Sequence, residues 1–241
     1  AQRRAERAAV RAAYALGLDY AVVEVCLSAH GEPLVVGIDA SPDALCGRFA
    51  PLFADAVNRY AQSLREGAAA GDGDRLLLGT DLEFVLRSKD GKIVSASNYF
   101  NRRGVVGCDG VRVGGRIVFP LAELRPSPAK EPRDLLRNLR AAMRLALLRL
   151  DDAGLEWLAG GMPVKGLPLG GHIHISGVAL DADLVRALDN YLALPLALLE
   201  DDDSCRRRPR YGALGDIRRQ FHGGFEYRTL PSWIVSPTVA L

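Results

Sequence analysis

Hydrophobic and polar positions alternate along the chain in two patterns, one typical of helices and one typical of strands. Residues 2–16 carry apolar side chains at helical spacing among charged ones, which predicts an amphipathic helix. Two β-branched runs, 21–27 and 33–39, flank a turn that contains Gly31, and this pattern predicts a β-hairpin. Apolar residues on one side of 44–66 predict a second, longer helix.

The small residues at 67–74, GAAAGDGD, predict a flexible linker, because this stretch has no large apolar side chain that could pack in a core. The linker divides the chain into an N-terminal segment, 1–70, and a larger domain, 75–241. In the larger domain the same patterns predict strands at 75–87, 92–97, 119–126, 170–177 and 224–230, and helices at 132–158 and 181–200. No internal repeat is present, which excludes solenoids and propellers.

The composition narrows the class of protein. The 241 residues are 49% hydrophobic and 25% charged with a net charge of +2, which excludes a disordered tail and a strongly basic nucleic-acid-binding protein. The longest uncharged stretch, 166–180, is too short to span a bilayer, and the N-terminus lacks the apolar segment of a signal peptide. The four cysteines lie far apart, so we expect reduced thiols, a cytoplasmic location and no membrane contact. Since the first residue is not Met, we expect a trimmed chain.

Two carboxylates two positions apart are the first candidates for chemistry. Asp81 and Glu83 lie in the predicted strand TDLEF, so both side chains project from the same face. Burying two acidic side chains on an otherwise apolar strand costs free energy unless a cation or an arginine neutralises their charge. The alternative is a solvated sheet face, since most Asp and Glu side chains are exposed.

Two histidines repeat this spacing in GGHIHISG. His172 and His174 share one face of a predicted strand, while Ile173 and Ile175 point the other way into a core. Imidazoles at this spacing can hold a metal or meet an anionic phosphate, and the two preceding glycines let backbone or ligand come close. A structural role is the alternative for each histidine taken alone.

An acid followed two residues later by an arginine occurs twice. Glu123 and Arg125 lie in AELRPSP, and Glu226 and Arg228 lie in GFEYRTLPSW. Each pair taken alone is explained by an ion pair between strands. Taken with the other acids and the histidines, the carboxylates and imidazoles suit Mg²⁺ or Mn²⁺, and the arginines suit phosphate oxygens. The set predicts a metal–nucleotide site on one concave sheet face.

An arginine-rich segment, RRRPR at 206–210, follows three aspartates. A surface loop balanced by these acids is the alternative to a functional role, and nucleic-acid binding is unlikely for the same reason. We assign Arg210 and Arg218 to nucleotide or substrate phosphate. The P-loop, the GxGxxG fingerprint before a helix and the GxSxG elbow are absent, which removes support for P-loop NTPases, Rossmann dehydrogenases and α/β-hydrolases.

Eight motifs between residues 75 and 241 occur in an order that resembles one protein family. They are GTDLEF, SASNYF, VGCDG, AELRPSP, GGHIHISG, ALDNYLALPLALLE, RYGALGDIR and GFEYRTLPSW. The family is the phage phiEco32-like amidoligase type 2 group of carboxylate–amine ligases, a relative of glutamine synthetase and glutamate–cysteine ligase. The resemblance implies an α+β fold with a glutamine synthetase-like curved antiparallel sheet and helices packed on its outer face. Residues 1–70 would form a small helix-hairpin-helix segment that precedes this domain.

The resemblance also implies roles for individual residues. The predicted ligands of the divalent metals are Asp81, Glu83, Glu123, His172 and Glu226. The predicted catalytic residues are Glu83, Arg125, His174 and Arg228, with His174 near the substrate carboxylate and Arg228 on phosphate. The residues predicted to bind the nucleotide are Arg210, Arg218 and Arg228.

The activity implied by the resemblance is an ATP-dependent ligation with Mg²⁺ or Mn²⁺. ATP phosphorylates a substrate carboxylate, and an amine then attacks the acyl phosphate to give an amide. The substrates would be small molecules or peptides, Glu226 and Asp109 are candidates for the base, and a homo-oligomer is consistent with the assembly of glutamine synthetase relatives. Two alternatives stay open: a metal-dependent hydrolase that uses the same groups, and an inactive binding module.

Overall fold

The structure is a computed structural model that describes residues 2–41, 43, 46–70, 76–150, 154–208, 211–221 and 223–235, with backbone only at 63, 64 and 66–70. Two compact units are present. One comprises residues 1–69 with 181–183, and the other comprises 70–180 with 184–241. Among the helices of the described residues, none is both long enough and apolar enough to cross a membrane.

The smaller unit contains the elements α1 (Gln2–Ala15), β1 (Val22–Leu27), β2 (Pro33–Asp39) and α2 (Ala50–Ala70). The strands pair antiparallel, and Gly31 lies between them with φ +73°. The helix α2 begins at Ala50 rather than at the predicted residue 44, because Gly47 has φ +62°, which an α-helix does not allow. It also continues through 67–70, the start of the predicted linker, since alanine has the highest helix propensity.

The larger unit is built on one curled antiparallel sheet of eight strands. The strands are β3 (Leu77–Arg87), β4 (Ile93–Val94), β5 (Val106–Val113), β6 (Arg116–Leu124), β7 (Glu156–Leu158), β8 (Gly171–Ser176), β9 (Ile217–Arg219) and β10 (Phe225–Tyr227). Their order is β5-β6-β3-β8-β10-β9, and both β4 and β7 pair with one end of β3. The long strand β3 therefore lies inside the sheet, with partners on both sides.

Within the described residues, the larger unit contains the helices α3 (Pro132–Leu150) and α5 (Leu194–Ala197) and most of α4 (Ala182–Leu188), whose first two residues belong to the smaller unit. The predicted apolar stripe of α3 is buried, which confirms its orientation. However, α3 ends at Leu150 and not near 158, because Gly154 takes φ +57° and Trp157 enters β7. The predicted helix 181–200 is interrupted by a π-helical turn, Asp189–Ala193, and ends at Ala197.

Alternation of side chains gives the sheet two different faces. On one face, Leu82, Phe84 and Leu86 of β3 form a core with α3. Farther along the same face, Ile173 and Ile175 of β8 pack with apolar residues of α4 and α5, as predicted. The opposite face carries the acidic and histidine side chains. The structure thus confirms an α+β class with helices against one face of an antiparallel sheet.

The strands β5 and β9 are not predicted by the sequence patterns. β5 lies in a glycine-rich stretch, and glycine is depleted in strands. A Cβ on its Gly107 would lie 2.2 Å from Nη1 of Arg125, so a larger residue there would displace this guanidinium group. β9 has only three residues, two of them arginines, and it exists because β10 provides the hydrogen-bonding partner.

Candidate active site

The register of the sheet brings the predicted site residues into one row on the second face. Directly opposed pairs form the row: Glu83–Glu123, Asp81–His172, His174–Glu226 and Glu226–Arg218. These residues come from β6, β3, β8, β10 and β9, which are neighbours in that order. Directly opposed side chains on one face of an antiparallel pair lie close together. The row therefore gathers acids, imidazoles and a guanidinium group from distant parts of the chain.

Three buried ligand atoms converge at the centre of the row. Nδ1 of His172 lies 2.7 Å from Oδ1 of Asp81 and 3.2 Å from Oε1 of Glu226. The three atoms lie within 4.8 Å of one another, and none has a hydrogen-bond partner among the described residues. Buried polar atoms are nearly always satisfied, so this convergence points to a bound cation. Two carboxylate oxygens and an imidazole nitrogen form a donor set that accepts Mn²⁺ or Mg²⁺.

The histidines control the charge of Asp81. Oδ2 of Asp81 lies 3.2 Å from Nε2 of His174, while its Oδ1 contacts His172. Burial alone would raise the pKa of Asp81, but the two imidazoles outweigh burial and lower this pKa below its ordinary value. Burial would likewise lower the pKa of His172, but Asp81 and the acids nearby raise it. Asp81 is therefore a carboxylate across the neutral pH range.

Glu226 is the member of the row that has no exposed surface. Its Oε2 accepts hydrogen bonds from Nε of Arg218 at 2.7 Å and from Nε2 of Gln220 at 2.9 Å. Nε of Arg228 lies 3.1 Å from Oε1, so both arginines flank the same carboxylate. The predicted pair Glu226–Arg228 is thus an ion pair within one chain segment, and Arg218 forms an ion pair with Glu226 from the neighbouring strand.

Glu83 is attached to the loop before β8. Its Oε2 accepts a hydrogen bond of 2.6 Å from the backbone N–H of Gly170, and its own N–H donates to the Gly170 carbonyl. Burial raises the pKa of Glu83. A Cβ on Gly170 would lie 2.1 Å from Nε2 of His172, so only glycine allows the loop to pass between these side chains. Glu83 borders the cluster of three ligand atoms but is not part of it.

Glu123 forms an ion pair with Arg125, the second acid–arginine pair that the sequence contains. Burial raises the pKa of Glu123 to about 7, and the attraction of Arg125 only partly opposes this rise. Arg125 also donates from Nη1 to the carbonyl of Arg102 at 3.2 Å. Glu123, like Glu83, stands beside the cluster of Asp81, His172 and Glu226 rather than inside it.

Two cavities meet at Asp81. One, of about 240 Å³, has a polar wall that includes Glu83, Asp109, Glu123, His172, Arg218 and Arg228. The other, of about 440 Å³, is lined by Arg125 and His174 together with apolar groups of Leu77, Pro126, Pro128 and Ile175. Molecules can therefore reach the row from either cavity. Arg210, which the sequence assigns to phosphate, lies outside the described residues.

Two residues of the site, Tyr211 and Arg207, are not predicted from the sequence. The hydroxyl of Tyr211 lies 2.7 Å from Nε2 of His172 and accepts a hydrogen bond from Arg228. Arg207 is 1% exposed, and its guanidinium group lies over the Tyr211 ring, 4.7 Å from its centroid. The motif RYGALGDIR contains Tyr211, but a single tyrosine carries no signal of its own. Arg207 belongs to an arginine run, which is usually exposed.

The sequence profile of the family Phage phiEco32-like COOH.NH2 ligase-type 2 matches residues 78–241. No curated protein matches the chain. A bifunctional glutathione synthetase from Pasteurella multocida is a similar solved structure, with 18% sequence identity and a TM-score of 0.34. That match covers 55% of this chain and 20% of the synthetase, so the chain corresponds to only a fifth of that protein. Because the family profile spans more than half of the sequence, the chain belongs to the phage phiEco32-like COOH·NH2 ligase type 2 family.

Proposed function

We propose that the protein is an ATP-dependent carboxylate–amine ligase that works with Mg²⁺ or Mn²⁺. The observation that carries this proposal is the convergence of Oδ1 of Asp81, Nδ1 of His172 and Oε1 of Glu226 without hydrogen bonds, with two arginines beside them. Family membership supplies the reaction class. An antiparallel sheet with helices on one face and acids on the other supports a glutamine synthetase-like fold.

Asp81, His172 and Glu226 would hold the cation, with Glu83 and Glu123 as nearby carboxylates for a further ion. The fit rests on the orphaned ligand atoms and on charge, because acids outnumber arginines around the 240 Å³ cavity. When bound, the cation would withdraw charge from the phosphoryl group that is transferred. A carboxylate-rich cavity without a cation would repel ATP.

Three arginines, one in the row and two beside it, are suited to bind phosphate oxygens. Arg218 and Arg228 line the 240 Å³ cavity, while Arg125 lines the 440 Å³ cavity. Each guanidinium group is already oriented by a carboxylate, Glu226 or Glu123, so little side-chain freedom is lost on binding. His174, which is held by Asp81 and reaches the 440 Å³ cavity, is placed to contact the substrate carboxylate.

The proposed reaction has two steps. A carboxylate oxygen of the acid attacks the γ-phosphorus of ATP, which forms an acyl phosphate and releases ADP. A base takes one proton from the ammonium form of the amine. The neutral nitrogen then attacks the acyl carbon, and phosphate leaves with a second proton from the nitrogen to give the amide. Because an acyl phosphate hydrolyses readily, this route requires water to be kept away from the intermediate.

Asp109 is the better candidate for the base that accepts the amine proton. Of the two acids that the sequence proposes, Glu226 is already occupied by arginines and Gln220, whereas Asp109 is exposed on the cavity wall. We expect Asp109→Asn to lower amide formation about 100-fold, the usual contribution of a general base. Hydroxylamine, which is unprotonated at neutral pH, should restore turnover as measured by hydroxamate formation. Equal loss with amine and hydroxylamine would contradict this role.

ATP binding tests the proposed function most directly. Calorimetry is expected to show ATP binding at least about tenfold tighter with Mg²⁺ or Mn²⁺ than with EDTA, because the acids around the cavity repel an uncompensated triphosphate. Arg218→Met should weaken this binding. Arg219→Met is the matched control, since Arg219 is the next residue of β9 and points away from the row.

Absence of ATP binding in all metals would contradict the ligase. Metal-dependent hydrolysis of an ester or amide without nucleotide would instead support the hydrolase that uses the same groups.

A further inference from the structure

Tyr211 contacts His172, a proposed metal ligand, at the ring nitrogen that does not face the other two ligands. Its hydroxyl lies 2.7 Å from Nε2, the ring nitrogen opposite the one that faces Asp81 and Glu226. The same hydroxyl accepts a hydrogen bond from Nη2 of Arg228. Tyr211 therefore joins a ligand of the proposed cation to an arginine proposed to bind phosphate.

The chemistry of imidazole makes this contact directional. A neutral imidazole carries one proton, and its other nitrogen offers the lone pair that binds a metal. Since Nδ1 of His172 faces the two carboxylates, metal binding requires the proton to reside on Nε2. There, Nε2–H donates to the oxygen of Tyr211. Hydrogen bonds of this kind from a ligand histidine fix its tautomer and ring orientation.

Two guanidinium groups hold Tyr211 in place. Arg207 lies over the ring at 4.7 Å from its centroid, and Arg228 lies over it at 4.6 Å. Arg207 is itself fixed, because it donates to the backbone carbonyls of Arg228, Thr229 and Leu230. Gly212 makes room for it, since a Cβ there would lie 1.9 Å from Nη1 of Arg207. The tyrosine hydroxyl is thus presented to His172 from a rigid support.

We propose that Tyr211 is a positioning residue that keeps the proton of His172 on Nε2 and thereby leaves Nδ1 free to bind the cation. This inference rests on the proposed function, because it needs the cation at Asp81, His172 and Glu226. Arg207 supports Tyr211 and does not contact the ligand atoms of that site.

The test measures binding of Mn²⁺ alone by calorimetry. Tyr211→Phe keeps the ring that contacts the two arginines and removes only the hydroxyl, so we expect Mn²⁺ affinity to fall about 10- to 100-fold. The metal-free thermal unfolding midpoint should change little. Tyr191→Phe is the matched control, because it removes the hydroxyl of a tyrosine that is 81% exposed.

A second measurement reads the tautomer in the unaltered protein. The chain has four histidines, so nitrogen NMR of histidine-labelled protein resolves them, and His172→Gln identifies the signal of His172. With Mg²⁺ bound we expect the proton on Nε2, whereas a proton on Nδ1 overturns the inference even if Tyr211→Phe does not fold.

The outcomes separate the two proposals. Equal Mn²⁺ affinity of the unaltered protein and Tyr211→Phe overturns the role of Tyr211 and leaves the metal site standing. Failure of the unaltered protein to bind Mn²⁺ overturns both.

Discussion

Replacing Asp81 with asparagine is expected to weaken Mn²⁺ binding by more than about 100-fold. This loss exceeds the one expected for Tyr211→Phe, because Asp81 is a proposed ligand whereas Tyr211 only contacts one. Asparagine has the same shape but no charge, and the two histidines hold Asp81 in its charged form. Loss of the cation should also abolish metal-dependent ATP binding and ADP release. Calorimetry with Mn²⁺, followed by calorimetry with ATP, measures both effects.

The control for this change is Asp55→Asn. Asp55 lies on α2 in an exposed ion pair with Arg59, so the variant loses a carboxylate of similar size away from the sheet. Its Mn²⁺ and ATP affinities should equal those of the unaltered protein. Unchanged affinities in a folded Asp81→Asn protein would refute the assignment of the cation to Asp81, His172 and Glu226.

Replacing Arg207 with methionine is expected to destabilise the fold by at least about 3 kcal/mol, since hydrogen bonds from charged donors contribute the most and unpaired buried acceptors are costly. Arg207 is 1% exposed, and the three acceptors of its guanidinium group are consecutive carbonyls just after β10. Burial lowers the pKa of Arg207 to about 10, which leaves it charged at neutral pH. Urea denaturation monitored by circular dichroism measures the loss.

Arg206→Met is the matched control, one residue away. The side chain of Arg206 is 72% exposed. Its ion pair with Asp203, which is also exposed, lies at the surface. An exposed pair of this kind contributes between zero and about 1 kcal/mol. Similar denaturation midpoints for the two variants would show that Arg207 is not a structural support of the site.

Local patterns predict much of the sheet. In HIHIS, alternation correctly assigns Ile173 and Ile175 to the core and His172 and His174 to the other face. The apolar stripe of α3 is equally readable, because a helix that packs on a sheet must repeat its apolar residues every turn. The predicted helix boundaries are wrong near Gly47 and Gly154, because these residues have positive φ angles that an α-helix does not allow.

The candidate site was only partly predictable, for a reason visible at Glu226. Its sequence spacing indicates a pair with Arg228, but the sheet adds Arg218, Gln220 and His172 as neighbours. Tyr211 and Arg207 escape prediction altogether. Their roles arise from contacts with residues that are distant in sequence, and neither has a repeating pattern that marks it.

The sequence by itself determined the α+β class, the faces of the strands and the family, because side-chain direction follows from local periodicity and the motifs occur in a specific order. Only the tertiary structure decided which acids meet. Asp81, His172 and Glu226 converge because β8 lies between β3 and β10, and the register aligns these three positions. Strand order and register result from packing across the whole sheet, and no local pattern contains that information.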